Sequence, residues 1–130
     1  MAKIGFIGLG AMGLCMARNL LSNGHKVIGF DFSKVAMDAH IKNGGEIAIS
    51  AAEASAEANF VITMLPNGDA VKQAAFGPRG IAKKLPKDSL FIDMSTIHPL
   101  ETDQIRQDLR LQGISMVDAP VGRTSVEAEL

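Results

Sequence analysis

The chain has 130 residues, 47% hydrophobic and 21% charged, a size and balance that suit one globular domain with its own core. Thirteen basic side chains face fourteen acidic ones, giving a formal charge of -1. That near-neutrality argues against a nucleic-acid partner and against binding to an anionic membrane surface.

Residues 3–7 form an apolar run that predicts a first strand. A helix is predicted over 12–23, because Met12, Met16 and Leu20 recur at i, i+4 and i+8, with Leu14, Ala17 and Leu21 beside them. Gly24 stands where a helix ends on a left-handed residue. A second strand follows over 26–30, and Ser33 is placed to cap a helix that reaches about residue 43 and stops at Gly44-Gly45. A short strand is predicted over 46–49. Ser50-Ala51-Ala52-Glu53 then matches a capping box, so a short helix should follow. Residues 60–64 predict a strong strand, and 69–76 a helix beyond the Pro66-Asn67-Gly68 loop. Another strand is expected over 90–93. Pro99 suits the first turn of a helix running to about 112 and ended by Gly113, and 115–118 predict the last strand. Thr124-Ser125-Val126-Glu127 offers a cap for a further helix. The repeated alternation implies an α/β fold: a doubly wound, mostly parallel sheet with helices on both faces. Its strands read as apolar runs, as expected when both faces are covered.

The first strand-to-helix turn carries the sharpest signal. Gly8-Leu9-Gly10-Ala11-Met12-Gly13 is a G-x-G-x-x-G with a strand before it and a helix opening within it. The second strand ends in Asp31, close to the spacing of about 20 residues expected of a dinucleotide fingerprint. Gly8 serves the tight turn, Gly10 lets backbone approach a pyrophosphate, and Gly13 lets the helix pack near the strand. Free N–H groups at the helix start then face the phosphates. Asp31 can accept from both ribose hydroxyls and repels a 2′-phosphate, which favours NAD over NADP. The reading is a Rossmann-type NAD-binding domain. A structural glycine turn and an S-adenosylmethionine-binding domain remain the competing readings.

Other candidates carry less. Cys15 is the sole cysteine, so no intrachain disulfide forms and a reducing compartment is expected. Residues 1–10 lack a signal-peptide pattern, and no apolar stretch approaches the roughly 20 residues of a membrane span. The expected location is the cytoplasm. His98 can exchange a proton near neutral pH by residue type, but its place before Pro99 at a helix start points to structure. His25 and His40 have no partners in sequence, Cys15 reads as helix packing, and no spacing suggests a metal site.

Four pieces in order resemble the N-terminal domain of the β-hydroxyacid dehydrogenase family: Ile7-Gly8-Leu9-Gly10-Ala11-Met12-Gly13, Met64-Leu65-Pro66, Asp93-Met94-Ser95-Thr96 and Asp118-Ala119-Pro120-Val121. The resemblance covers nearly the whole chain. It implies that Ala11 and Met12 meet the cofactor diphosphate, that Asp31 holds the adenosine ribose, and that Leu65 and Thr96 lie along the cofactor, Thr96 toward the nicotinamide. It also implies contact of Ser95 with substrate or cofactor. Much of the family follows Pro-Val with Ser-Gly-Gly, whereas this chain has Gly122-Arg123-Thr124-Ser125. That variant resembles the branch that reduces a sulfonated three-carbon aldehyde, with Arg123 facing the anion through its fixed fork of donors. Aldehydes bearing a carboxylate, tartronate semialdehyde and methylmalonate semialdehyde, stay open. The proton donor in this family is a lysine on a helix of a C-terminal, all-helical domain. The resemblance puts that lysine beyond Leu130, so no catalytic residue is named within the chain, and Lys83, Lys84 and Lys87 do not match its position. It further implies that the full-length parent is a homo-oligomer. A nucleotide-binding module without chemistry is the alternative.

Overall fold

A computed structural model describes residues 1–120. The expected Arg123 loop and the cap at Thr124 lie outside the described residues. The elements are β1 (Lys3–Ile7), α1 (Ala11–Ser22), β2 (Lys26–Phe30), α2 (Lys34–Lys42), β3 (Glu46–Ile47), α3 (Ala51–Ser55), β4 (Phe60–Thr63), α4 (Gly68–Phe76), a 3-10 turn (Ile81–Lys83), β5 (Leu90–Asp93), α5 (Pro99–Leu111) and β6 (Ser115–Asp118). The six strands form one sheet in the order β3-β2-β1-β4-β5-β6, and every neighbouring pair is parallel. The chain winds outward from β1 to β3, crosses back to β4 beside β1, and winds outward the other way. Right-handed crossovers therefore put helices on opposite faces of the two halves.

Each face has its own core. On one, Ile7, Val61, Phe91 and Met116 meet α3, α4 and α5 through Ala54, Val71, Ile105 and Leu109. On the other, Ile4, Phe6, Val27 and Ile62 meet α1 and α2 through Ala17, Leu14 and Met37. Adjacent residues such as Phe6 and Ile7 go to different cores because successive strand side chains alternate.

The expectation that all strands are covered on both faces holds for β1 and β4 alone. Strands β2 and β5 alternate between buried and half-buried positions, and in β6 only Met116 is buried. Five short helices cover the centre of a six-stranded sheet and run out toward its edges. Strand β3 is shorter than predicted, with two paired residues. The 3-10 turn was not anticipated, since three residues carry no helical period.

Among the described residues, four of the five α-helices start on a side-chain cap. Ser33, Ser50, Asn67 and His98 accept from the backbone N–H of Ala36, Glu53, Ala70 and Leu100. His98 is therefore structural, as its position suggested: Nδ1 accepts from Leu100 N–H at 3.1 Å. Replacing His98 with alanine should lower stability by about 1 kcal/mol, the usual cost of a lost N-cap, and His98→Ser should restore most of it. Equal melting of all three proteins would show that the cap contributes nothing. His40, within α2, is fully buried, with Nε2 3.1 Å from the Val27 carbonyl. Gly45 makes room for it, because a Cβ there would lie 2.1 Å from Nε2.

Candidate functional site: a groove at the carboxyl ends of β1, β2 and β4

Strand order reverses between β1 and β4, so the loops after these strands diverge and leave a crevice at their carboxyl ends. The glycine turn forms one wall. Gly8 has φ +102°, and a Cβ there would sit 2.1 Å from the Met64 carbonyl oxygen. A Cβ on Gly13 would lie 2.1 Å from the Gly8 carbonyl oxygen, so α1 rests directly on the turn. Gly10 differs: a Cβ would meet nothing within 4 Å. The backbone at Gly10 faces open space.

Helix α1 is the one α-helix among the described residues that starts without a side-chain cap, and no acidic residue stands in its first turn. The N–H groups of its first turn, Ala11 and Met12 foremost, have no intrahelical acceptor and carry the positive end of the helix dipole. They border a cavity of about 350 Å³ that is also lined by Gly10, Asp31, Met64 and Leu65.

Asp31, at the end of β2, is held from two sides. Oδ2 accepts from Leu9 N–H at 2.8 Å and Oδ1 from Ser33 N–H at 2.8 Å. Each carboxylate oxygen keeps a further lone pair for a ligand hydroxyl. Asp31, Gly8, Leu65 and Pro66 also line a second cavity of about 410 Å³, walled by Phe30, Phe32, Ile49 and Arg79 among others. The two cavities thus form one groove with the carboxylate at the join. Its first part offers backbone donors to an anion, its middle a fixed acceptor, and its far part flat apolar walls. Phosphate, ribose and adenine need those three environments in that order, so the residues present fit a dinucleotide.

Sequence reasoning missed the far walls. Phe32 is 92% exposed and Ile49 77% exposed, and Phe32 stands edge-on to Phe30 with ring centroids 5.2 Å apart. The available signal was an aromatic and an aliphatic residue in loops that otherwise call for polar ones. Of the other expected residues, Leu65 lines both cavities, whereas Thr96 is exposed on the β5–α5 loop and lines neither. Ser95 is 3% exposed, and its Oγ accepts from Leu65 N–H at 2.8 Å. Cys15 is half-buried within α1. Among the described residues no group of three or more His, Cys, Asp and Glu could hold a metal ion, and no helix is long and apolar enough to cross a membrane.

An all-parallel sheet with a glycine turn at its switch point and a fixed carboxylate after the next strand defines a Rossmann-type dinucleotide-binding domain. The family model for the NAD binding domain of 6-phosphogluconate dehydrogenase matches residues 3–130, and the chain belongs to that family of NAD-binding domains. It is 50% identical over 128 residues to 3-sulfolactaldehyde reductase of Escherichia coli (strain K12), a match that takes in 98% of this chain and 43% of the relative. It is 41% identical over 119 residues to the mitochondrial 3-hydroxyisobutyrate dehydrogenase of Drosophila melanogaster, covering 92% of this chain and 36% of that protein. Among solved structures, the Mycobacterium tuberculosis 3-hydroxyisobutyrate dehydrogenase with L-serine superposes with a TM-score of 0.93 at 36% identity, over 99% of this chain and 43% of the other. The chain therefore spans less than half the length of these relatives.

Proposed function

We propose that this domain binds NAD(H) for an oxidoreductase that moves a hydride between the nicotinamide and a small anionic three-carbon aldehyde or 3-hydroxy acid, with 3-sulfolactaldehyde the favoured substrate. The observation that carries the cofactor reading is Asp31. Its carboxylate is pinned between two backbone donors at the mouth of an uncapped helix, where it accepts from ribose hydroxyls and opposes a 2′-phosphate. Lys34 follows at the start of α2, and no arginine neighbours Asp31 in sequence, although Arg79 lines the same cavity. Bound NADH supplies the hydride; the chain's own part is to orient it. The first-turn amides of α1 hold the diphosphate, Asp31 the ribose, and Leu65 the flank, with Thr96 toward the nicotinamide.

The sulfonate reading is supported by the identity to 3-sulfolactaldehyde reductase and by Arg123, whose guanidinium suits an anionic group. On this reading the carboxylate substrates of 3-hydroxyisobutyrate dehydrogenase and tartronate semialdehyde reductase are the competing assignments. The alkoxide formed on reduction needs a proton donor. Lys84 is paired with Glu53, and Lys83, Lys84 and Lys87 line neither half of the groove. We assign that role to a lysine of the companion helical domain.

The cofactor is tested by titrating NADH and NADPH into the chain and following cofactor fluorescence, which no tryptophan or tyrosine obscures. NADH should bind and NADPH should bind at least about tenfold more weakly. Asp31→Asn should weaken NADH about 10- to 100-fold, the range for a lost charged hydrogen bond, and narrow the gap to NADPH. Equal affinity for both cofactors in the wild-type chain would rule out NAD selection by Asp31. The substrate is tested on the full-length protein: Arg123→Met should raise KM for 3-sulfolactaldehyde and leave the NADH Kd alone.

A further inference from the structure

Two loops that are 30 residues apart in sequence are fastened to each other beside the groove. Asp93 closes β5 and is 1% exposed. Its Oδ1 accepts from Thr63 Oγ1 at 2.8 Å, at the end of β4, and from Ser95 N–H at 3.0 Å. Ser95 in turn accepts from Leu65 N–H. The path Thr63–Asp93–Ser95–Leu65 therefore starts in β4, crosses to β5 and returns to the residue just beyond β4 that lines both halves of the groove. Outside this buried path the same loops touch again. Gly68, the first residue of α4, leaves room for the Glu101 carboxylate of α5, since a Cβ there would lie 2.0 Å from Oε2.

The arrangement is costly for a purely structural device. Asp93 Oδ2 is buried without a hydrogen-bond partner, and such orphaned acceptors are rare because they lose water without replacement. An aliphatic pair at positions 63 and 93 would join the strands without that loss. What it would not do is present Ser95 as an acceptor to Leu65 N–H, which in a turn followed by Pro66 has no ladder partner of its own.

We propose that Ser95 is a positioning residue that acts on the dinucleotide through Leu65, with Asp93 and Thr63 as its anchor. Ser95 does not need to touch the ligand. It fixes the β4 side of the groove at the width that the glycine turn requires on the β1 side. The proposal rests on the NAD reading for its ligand, but the latch itself is a property of the chain.

The test follows Leu65 amide exchange by NMR and NADH affinity in parallel, on the 130-residue chain. Ser95→Ala should speed Leu65 exchange about tenfold or more and raise the NADH Kd about five- to tenfold, the effect of one lost hydrogen bond at a binding wall. Asp93→Asn keeps an oxygen for both donors and should behave as wild type, whereas Asp93→Ala should behave as Ser95→Ala. Ser89→Ala, which removes a buried hydroxyl bonded to the Ala58 carbonyl at the amino end of β5, should change neither readout. Weaker NADH binding with Leu65 exchange unchanged would mean that Ser95 meets the ligand directly, and would overturn the proposal. So would faster Leu65 exchange at constant NADH affinity. If the wild-type chain binds no NADH, the cofactor reading fails, while the exchange arm still decides whether the latch exists.

Discussion

Gly8→Ala should cost about 2–6 kcal/mol of folding stability and leave no measurable NADH binding. The φ of +102° at this residue suits glycine and strains any other side chain, at about 1–3 kcal/mol. The added Cβ would also sit 2.1 Å from the Met64 carbonyl oxygen. That neighbour is backbone in a loop pinned by Leu65 and cannot swing aside, so overpacking adds about 1–3 kcal/mol. Against a typical net stability of about 5–15 kcal/mol the loss is severe. Relief comes from pushing Met64 outward, which spreads the groove. Urea denaturation and an NADH titration of the same sample check both effects. A midpoint and Kd equal to wild type would mean that the turn is not built around a left-handed residue.

The second large effect separates folding from binding. Phe91 is fully buried at the centre of the larger core, in the cluster with Val61, Ile105 and Leu109. Phe91→Ala should destabilise by about 3–5 kcal/mol through lost burial and the cavity left behind. It lines neither half of the groove. Below the unfolding transition its NADH Kd should therefore stay within about twofold of wild type. A protein that melts as wild type would show that the cluster collapses around the gap; one that stays folded but loses NADH would tie the core to the groove.

The parts of the fold that were legible in the sequence are those encoded by neighbours. The glycine turn, Asp31, the capping serines and the main strands each announce themselves within a few residues, because turn chemistry, capping and period are local. Strand β3 was read too long because apolar character continues through Ile49, whose side chain serves the groove wall and not the sheet. The place of His98 before Pro99 pointed to a structural role, but nothing local indicated that its ring would cap the helix. What the sequence hid depends on where the crossovers bring distant segments. Phe32, Ile49 and Arg79 come from three separate loops and become one wall only once β3 lies beside β2 and the segment after α4 is tied to α3. Ser95 was singled out for contact with a ligand, and nothing in its neighbours indicated that its hydroxyl would be turned to Leu65. A hydrogen bond across 30 residues has no local signature.

The missing cap on α1 makes occupancy part of the folding equilibrium. A pyrophosphate resting on that helix start would supply from outside the oxygen acceptors that Ser33, Ser50, Asn67 and His98 supply from within to the other helices. At one hundred times its dissociation constant, a ligand held by the native form alone adds about 2.7 kcal/mol. Loaded and unloaded domains would then differ in resistance to heat, proteases and cellular clearance, and the supply of dinucleotide would set how long each molecule lasts.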